Sequence, residues 1–388
     1  MGHVHMMEET RRLLGPETAI VCIMSGQFVQ RGDFALVDKY ARAEAAVRSG
    51  ADLVLELPLP WAVSSAEQFA HGGVQHLLST GLLTHLAFGS ECGDAAPLQH
   101  LAAALLSEEF PARLRKELGF GVSFAAARQK AVEGMVSPEE AVLLEGPNNI
   151  LGVEYCKSLL RTKSTVQPVT VPRVGAAHDS EETEEEMPSA SAIRAMLRNG
   201  EREPALASMA PAMADAYLRE EAAGRAPVYR ETCERAVLAR LRSMTEAEFA
   251  ALDEGQEGLY RRLYAAVRSA VSVDEVLELA KTKRYAYARL RRMVLWAYLG
   301  LTPGDCPEKP LYLRPLAANE IGRTLLGKMR KTAEVPVLTK PAAVRGLGEP
   351  ARKLFELEAR AADLYALAYP DLRAAMPESA WKESPVLL

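Results

Sequence analysis

The sequence predicts an α/β protein whose doubly wound parallel sheet is followed by an α-helical domain. Three observations carry that reading. Short apolar runs of strand length alternate with helical patterns through the first 175 residues. The first of them, Thr18 to Met24, is a continuous apolar run rather than an alternating one, as in a parallel strand covered on both faces. From Glu201 onward Ala-, Leu- and Arg-rich helical patterns dominate, with almost no strand signal. A chain of 388 residues is long for one domain. The change of pattern divides it into residues 1–200 and residues 201–388.

The elements follow in order. Val4 to Leu14 reads as a helix stopped by Gly15-Pro16, and Thr18 to Met24 as the first strand. Asp38 to Ser49 reads as a helix, with Asp38 near its N-cap and Gly50 just past its end. Leu53 to Leu57 is a second strand, halted by Pro58 and Pro60. Ser64 to Thr80 is helical, and His85 to Phe88 is a third strand running into Gly89-Ser90-Glu91. Asn149 to Arg161 is a helix, Val166 to Val171 a strand, and Ser191 to Arg198 a short helix ending at Gly200. Six carboxylates crowd Asp179 to Glu186; self-repulsion makes that run a solvated loop, with metal binding as the lesser alternative.

Composition excludes several classes. Hydrophobic residues are 48% and charged residues 25%, the balance of an ordinary globular protein. No apolar run is long enough to span a bilayer, and no secretory signal opens the sequence. The five cysteines are scattered and odd in number, which implies reduced thiols and a cytoplasmic location, with no metal-ligand spacing. The net charge of -5 conceals an asymmetry. Residues 281–345 hold 14 Lys+Arg against 4 Asp+Glu, a net of +10, which suits either a polyanion or a solvated helix face.

Two short segments could carry phosphate chemistry. Gly2-His3 opens the first helix, where an imidazole and backbone N–H groups together suit a phosphate; an idle, exposed terminal His is the plain alternative. In Ser189-Ala190-Ser191-Ala192-Ile193-Arg194, two hydroxyls precede a helix and Arg194 lies three residues beyond Ser191, on one face. A simple N-cap with a solvated Arg explains the same residues.

Longer motifs resolve more. In order along the chain stand Ser25-Gly26-Gln27-Phe28-Val29-Gln30-Arg31-Gly32-Asp33, Asp52 to Pro58, Phe88-Gly89-Ser90-Glu91, Pro147-Asn148-Asn149-Ile150-Leu151-Gly152, Arg173, His178-Asp179, Ser189 to Arg194, and Lys281-Thr282-Lys283-Arg284-Tyr285. This series resembles the bacterial tRNA(Met) cytidine acetate ligases, nucleotidyltransferase-like proteins of the HIGH superfamily with a Rossmann-like sheet. The resemblance covers nearly the whole chain. It implies that acetate is joined to the α-phosphate of ATP, and that acetyl-AMP then acylates the exocyclic amine of the wobble cytidine in elongator tRNA(Met). It implies Mg2+ accompanying ATP, no acetyl-CoA, no membrane and no obligate protein partner.

By the same resemblance, His3 corresponds to the second His of the HxGH motif and is expected, with Arg194, to act in catalysis. Gly2, Gly89, Asn148, Asn149, Arg173, Ser189 and Ser191 are expected around ATP, with Ser191 where Thr is common. A helix start with an Asn cap would also account for Pro147-Asn148-Asn149. The family's pattern also has an apolar strand and a first His ahead of Gly2-His3, so a natural start about 13–15 residues upstream is expected from strand length. Without that His, a catalytically impaired RNA-binding relative is one alternative, and a small-molecule adenylyltransferase is another. In the helical half, Lys281, Lys283, Arg284, Arg289, Arg291 and Arg292 are expected to hold tRNA phosphates, among Tyr285, Tyr287, Trp296 and Tyr298. Arg323, Lys328, Arg330 and Lys331 extend the basic surface.

Overall fold

Strands β1 (Val21–Ser25) and β2 (Leu53–Leu57) pair in parallel, Val21 opposite Leu53 and Ser25 opposite Leu57. Strands β3 (His85–Ser90) and β4 (Gln167–Pro172) form a second parallel pair. The computed structural model from which this is read describes residues 1–173, 188–255 and 258–388. The acidic run and His178-Asp179 lie outside those described residues.

The α/β class expected from the sequence is present, and the sheet is mixed rather than wholly parallel. Strand β5 (Pro315–Ala318) joins β2 antiparallel, with a register shift between Val54 and Leu55, and β6 (Val386–Leu387) extends β5 in parallel. The expectation of almost no strand beyond Glu201 is therefore corrected. Pro315-Leu316-Ala317-Ala318 is fully buried, so it shows no alternation, and it contains no β-branched residue to mark a strand.

Helix α1 (Gly2–Leu14) packs on β3 and β4. Helix α2 (Lys39–Arg48) is capped by Asp38, whose carboxylate accepts from the Tyr40 N–H at 2.7 Å. Helix α3 (Ala66–Leu78) and helix α4 (Pro147–Arg161) pack together beside β3, over a core of Leu86, Phe88, Leu98, Val153 and Leu159. Helix α5 (Ala190–Arg198) begins at Ser189. Helices α6 (Tyr287–Leu299), α7 (Glu320–Thr332) and α8 (Glu349–Ala366) belong to the later half.

The largest core cluster unites both halves. Phe28, Phe34 and Trp61 share it with Leu290, Trp296, Phe355 and Tyr365, and the Phe34 and Tyr365 rings stack at 6.0 Å. A buried ionic group runs alongside. Lys39 Nζ lies 2.7 and 2.8 Å from the two Glu56 oxygens, Arg314 Nε lies 3.6 Å from Glu56, and Tyr312 donates to Glu358 at 2.6 Å. Burial opposes charge on Glu56, but Lys39 and Arg314 prevail and hold its pKa low. Burial and the Glu56 charge push Glu358 up to about 6.

The C-terminal segment gives the fold a pH dependence. Burial first, and then Asp38, raise the Glu383 carboxyl to about 7 against the opposing pull of Lys39, Arg314 and Arg225. A raised acid favours the protonated folded state, so its contribution is complete below an unfolded value of ~4.3. That contribution is lost as pH rises through about 7. Glu383→Gln is therefore expected to raise the thermal midpoint relative to wild type at pH ~8 and much less at pH ~5, as scanning calorimetry would record.

Candidate functional site

The predicted nucleotide residues gather in two clusters, each beyond the carboxyl end of a parallel strand, where open α/β sheets place their ligands. The first lies beyond β3 and β4. Gly89 sits near the end of β3, and a Cβ there would stand 3.5 Å from Arg173 Cγ. Arg173 follows β4, is exposed, and donates through Nη1 to Asn148 Oδ1 at 3.3 Å. Because α1 rests on both strands, His3 on its first turn comes near Arg173. The His3 ring is open at its surface. Even so, the protein mass around it lowers its pKa, and the N-terminal ammonium and Arg173 lower it further. A polyanion at this corner would relieve that repulsion. Gly2 is exposed beside it.

Asn148 and Asn149 play different parts. Asn149 is 3% exposed, and its Oδ1 accepts from the N–H groups of Glu91 and Cys92 at 3.0 and 3.1 Å, so its side chain braces the turn after β3. Asn148 turns its carbonyl oxygen to Arg173 and its amide N–H to Glu91 Oε1 at 2.6 Å. Sequence reasoning did not single out Glu91, although it stands within the Phe88-Gly89-Ser90-Glu91 motif.

The second cluster forms where α5 meets the hairpin that follows β1. In that hairpin Phe28 pairs with Phe34 and Val29 with Asp33, and Gly32 makes the turn at φ +75°. A side chain at Gly32 would also strike the backbone of Arg291 and Arg292. Ser189 caps α5, its hydroxyl accepting from Ala192 N–H at 3.1 Å. Arg31 donates to Ser191 Oγ at 3.2 Å. Arg194 donates to the Phe34 carbonyl at 3.1 Å and lies 3.8 Å from Asp33. Arg42, partly buried, donates to the Ser25, Gly26 and Val37 carbonyls and fixes the loop leaving β1. Arg31 and Arg42 were not singled out from the sequence; the first belonged to the SGxFxQRG motif and the second had no local signal.

The basic stretch is less uniform than its composition suggests. Lys281, Lys283, Arg284 and Arg291 are exposed, and Arg291 lies over the Tyr287 ring at 4.8 Å. Arg323, Lys328, Arg330 and Lys331 are exposed on α7. Arg292 departs from the expectation. It is 9% exposed and forms a two-pronged pair with Glu254 at 2.7 and 2.8 Å, so its charge is spent inside the fold. Arg289 is half-buried and donates to the Glu254 carbonyl at 2.7 and 3.0 Å. Tyr285, Trp296 and Tyr298 are buried, which leaves Tyr287 alone of the four aromatics partly open to a base.

Comparison with known proteins gives one consistent picture. A model of the HIGH Nucleotidyl Transferase family matches residues 1–379. The tRNA(Met) cytidine acetate ligase of Acetivibrio thermocellus is 34% identical over 382 residues, covering 95% of this chain and 92% of that protein. The protein of the same name from Caldanaerobacter subterraneus subsp. tengcongensis is 36% identical over 377 residues, covering 95% and 92%. The crystal structure of Thermotoga maritima TmcAL (apo, form I) superposes with a TM-score of 0.95 at 32% identity, over 100% of this chain and 96% of that one. TmcAL from the same organism, bound with alpha-thio ATP, superposes with a TM-score of 0.93 at 32% identity and the same coverage.

Proposed function

This chain belongs to the tRNA(Met) cytidine acetate ligases, within the HIGH nucleotidyltransferases, and from that premise we propose that it activates acetate with ATP and acetylates the wobble cytidine of elongator tRNA(Met). It is a ligase that uses ATP. An acetate oxygen attacks the α-phosphorus, pyrophosphate leaves, and the exocyclic amine of the cytidine then displaces AMP from the acetyl carbon. No acetyl-CoA takes part.

What supports the reading is the pair of donor clusters beyond the parallel strands. Attack at the α-phosphorus builds charge on non-bridging oxygens, and preplaced donors are what stabilise it. We assign that task to Arg194 and His3. Ser189 and Ser191 line the phosphate path at the start of α5, while Gly2, Gly89, Asn148 and Arg173 border the nucleotide. Asn149 acts by bracing the turn. Among the described residues no three His, Cys, Asp or Glu converge as a cation site, so Mg2+ would enter held by the triphosphate and water. Among the described residues no helix is long and apolar enough to cross a membrane, and action on tRNA fits a cytoplasmic place.

Residues 201–388 present the RNA surface, while lending β5 to the nucleotide half. Lys281, Lys283, Arg284 and Arg291 form its centre, and Arg292 does not belong to it. Replacing Lys283 and Arg291 with Ala is expected to weaken tRNA binding and to lower the salt slope of log K by ~0.7–0.9 for each phosphate no longer neutralised. Acetyl-AMP formation without tRNA should persist. Arg292→Ala should instead lower thermal stability, because Glu254 keeps its charge and loses its close partner. Filter binding over a salt series distinguishes the two.

Exchange of labelled pyrophosphate into ATP tests the activation step. Exchange that depends on acetate alone is the expected result. Exchange that needs a different acceptor would replace this reading with a small-molecule adenylyltransferase, and none in any condition would contradict ligase chemistry in this chain.

A further inference from the structure

The turn after β3 contains a carboxylate for which the reaction so far has no use. Glu91 accepts three hydrogen bonds. Its Oε1 takes the Asn148 backbone N–H at 3.0 Å and the Asn148 side-chain N–H at 2.6 Å, and its Oε2 takes the Asn149 backbone N–H at 2.6 Å. These are the first amides of α4, the place where a helix most readily holds an anion. Burial works against the charge, but the hydrogen bonds from Asn148 and Asn149 keep the Glu91 pKa below its usual value.

The contact is built from both sides. Asn149 returns its own carbonyl oxygen to the Glu91 and Cys92 N–H groups. A Cβ at position 146 would stand 2.7 Å from Glu91 Oε2, so the glycine before Pro147 leaves the room the carboxylate needs. Ser90 fixes the strand end, its hydroxyl bonded to Thr170 Oγ1 at 2.7 Å and to the Gly93 N–H at 2.9 Å.

Two consequences follow. With the backbone N–H groups of residues 148 and 149 already engaged, the start of α4 offers no free backbone donor to a phosphate, and the triphosphate must rely on side chains and other segments. The Asn148 amide is also locked in one orientation, since its N–H faces a carboxylate that only accepts. Its Oδ1 is thereby aimed at Arg173, the cation beside His3. We propose that Glu91 is a positioning residue for ATP, acting through Asn148 on Arg173 without touching the nucleotide. This rests on the assignment of Asn148 and Arg173 to the ATP site.

The test is a double-mutant cycle on ATP affinity, measured by titration calorimetry on the whole chain with thermal midpoints recorded alongside. Glu91→Gln puts an N–H2 where backbone N–H groups expect an acceptor, and should raise the ATP dissociation constant ~10-fold or more, as loss of a charged hydrogen bond typically does. Asn148→Ala should give a loss of similar size, and the double variant should be little worse than Asn148→Ala alone, because the two act in series. Glu91→Asp, which keeps the charge but draws it back by one methylene, serves if Glu91→Gln does not fold, and should also weaken ATP binding. Unchanged affinity in the folded Glu91 variant, or losses that multiply in the double variant, would overturn the proposal. A wild-type chain that binds no ATP would overturn it together with the site assignment beneath it; wild-type binding with an indifferent Glu91 variant would overturn the proposal alone.

Discussion

Arg194→Ala is expected to reduce acetate-dependent exchange of pyrophosphate into ATP by ~10²-fold or more, the usual cost of removing one preplaced donor from a developing charge. The guanidinium springs from the second turn of α5 and is steered by the Phe34 carbonyl at 3.1 Å and by Asp33 at 3.8 Å. Neither contact uses its whole fork of five N–H donors, so it can still meet a phosphate. Arg194→Lys should recover only part of the activity, because a point charge does not reproduce the fork. Affinity for tRNA should hardly change, since the exposed basic residues lie on other elements. Exchange at the wild-type rate in Arg194→Ala would remove α5 from the reacting centre.

The second large effect concerns stability. Glu56→Ala should destabilise the protein by ~3–5 kcal/mol, the range for breaking a buried ion pair from one side. Lys39 and Glu56 expose 3% and 5% of their side chains, so water cannot replace the lost carboxylate. Arg314, 4% exposed, would lose the same partner. Native stability is only ~5–15 kcal/mol, which makes the loss visible in any denaturant titration. Converting both partners to apolar residues, Lys39→Met with Glu56→Leu, should restore a good part of it, because no uncompensated charge remains on that pair. A loss under ~1 kcal/mol in the single variant would mean that the pair is solvated in solution.

The local grammar of the first half was legible. Asp38 reads as an N-cap and is one, and Ser189 reads as a hydroxyl that can cap a helix and does so. The strand runs at residues 53–57 and 85–88 lie within β2 and β3; β2 is buried along its whole length, as its apolar content implies, while β3 is buried only at every second residue. What stayed hidden depended on distant partners. Strand β5 carries no pattern of its own, and its identity comes from lying against β2, over 250 residues earlier in the chain. Arg292 and Arg291 look alike in sequence, but Glu254 takes one and leaves the other exposed. The same holds for Tyr285 and Trp296, whose burial depends on neighbours that a local window does not contain. Glu91 was visible as part of a motif, while its function as an acceptor for α4 needed the two segments side by side.

Transfer of labelled acetate to purified elongator tRNA(Met) tests the central claim most directly, with the nucleosides of the digested tRNA separated and identified by mass. With ATP, acetate and this protein, label is expected in acetylated cytidine at the wobble position, and omission of acetyl-CoA should make no difference. Label that appears in no nucleoside, or acetylation that takes its acetyl group from acetyl-CoA in place of free acetate, would contradict the account.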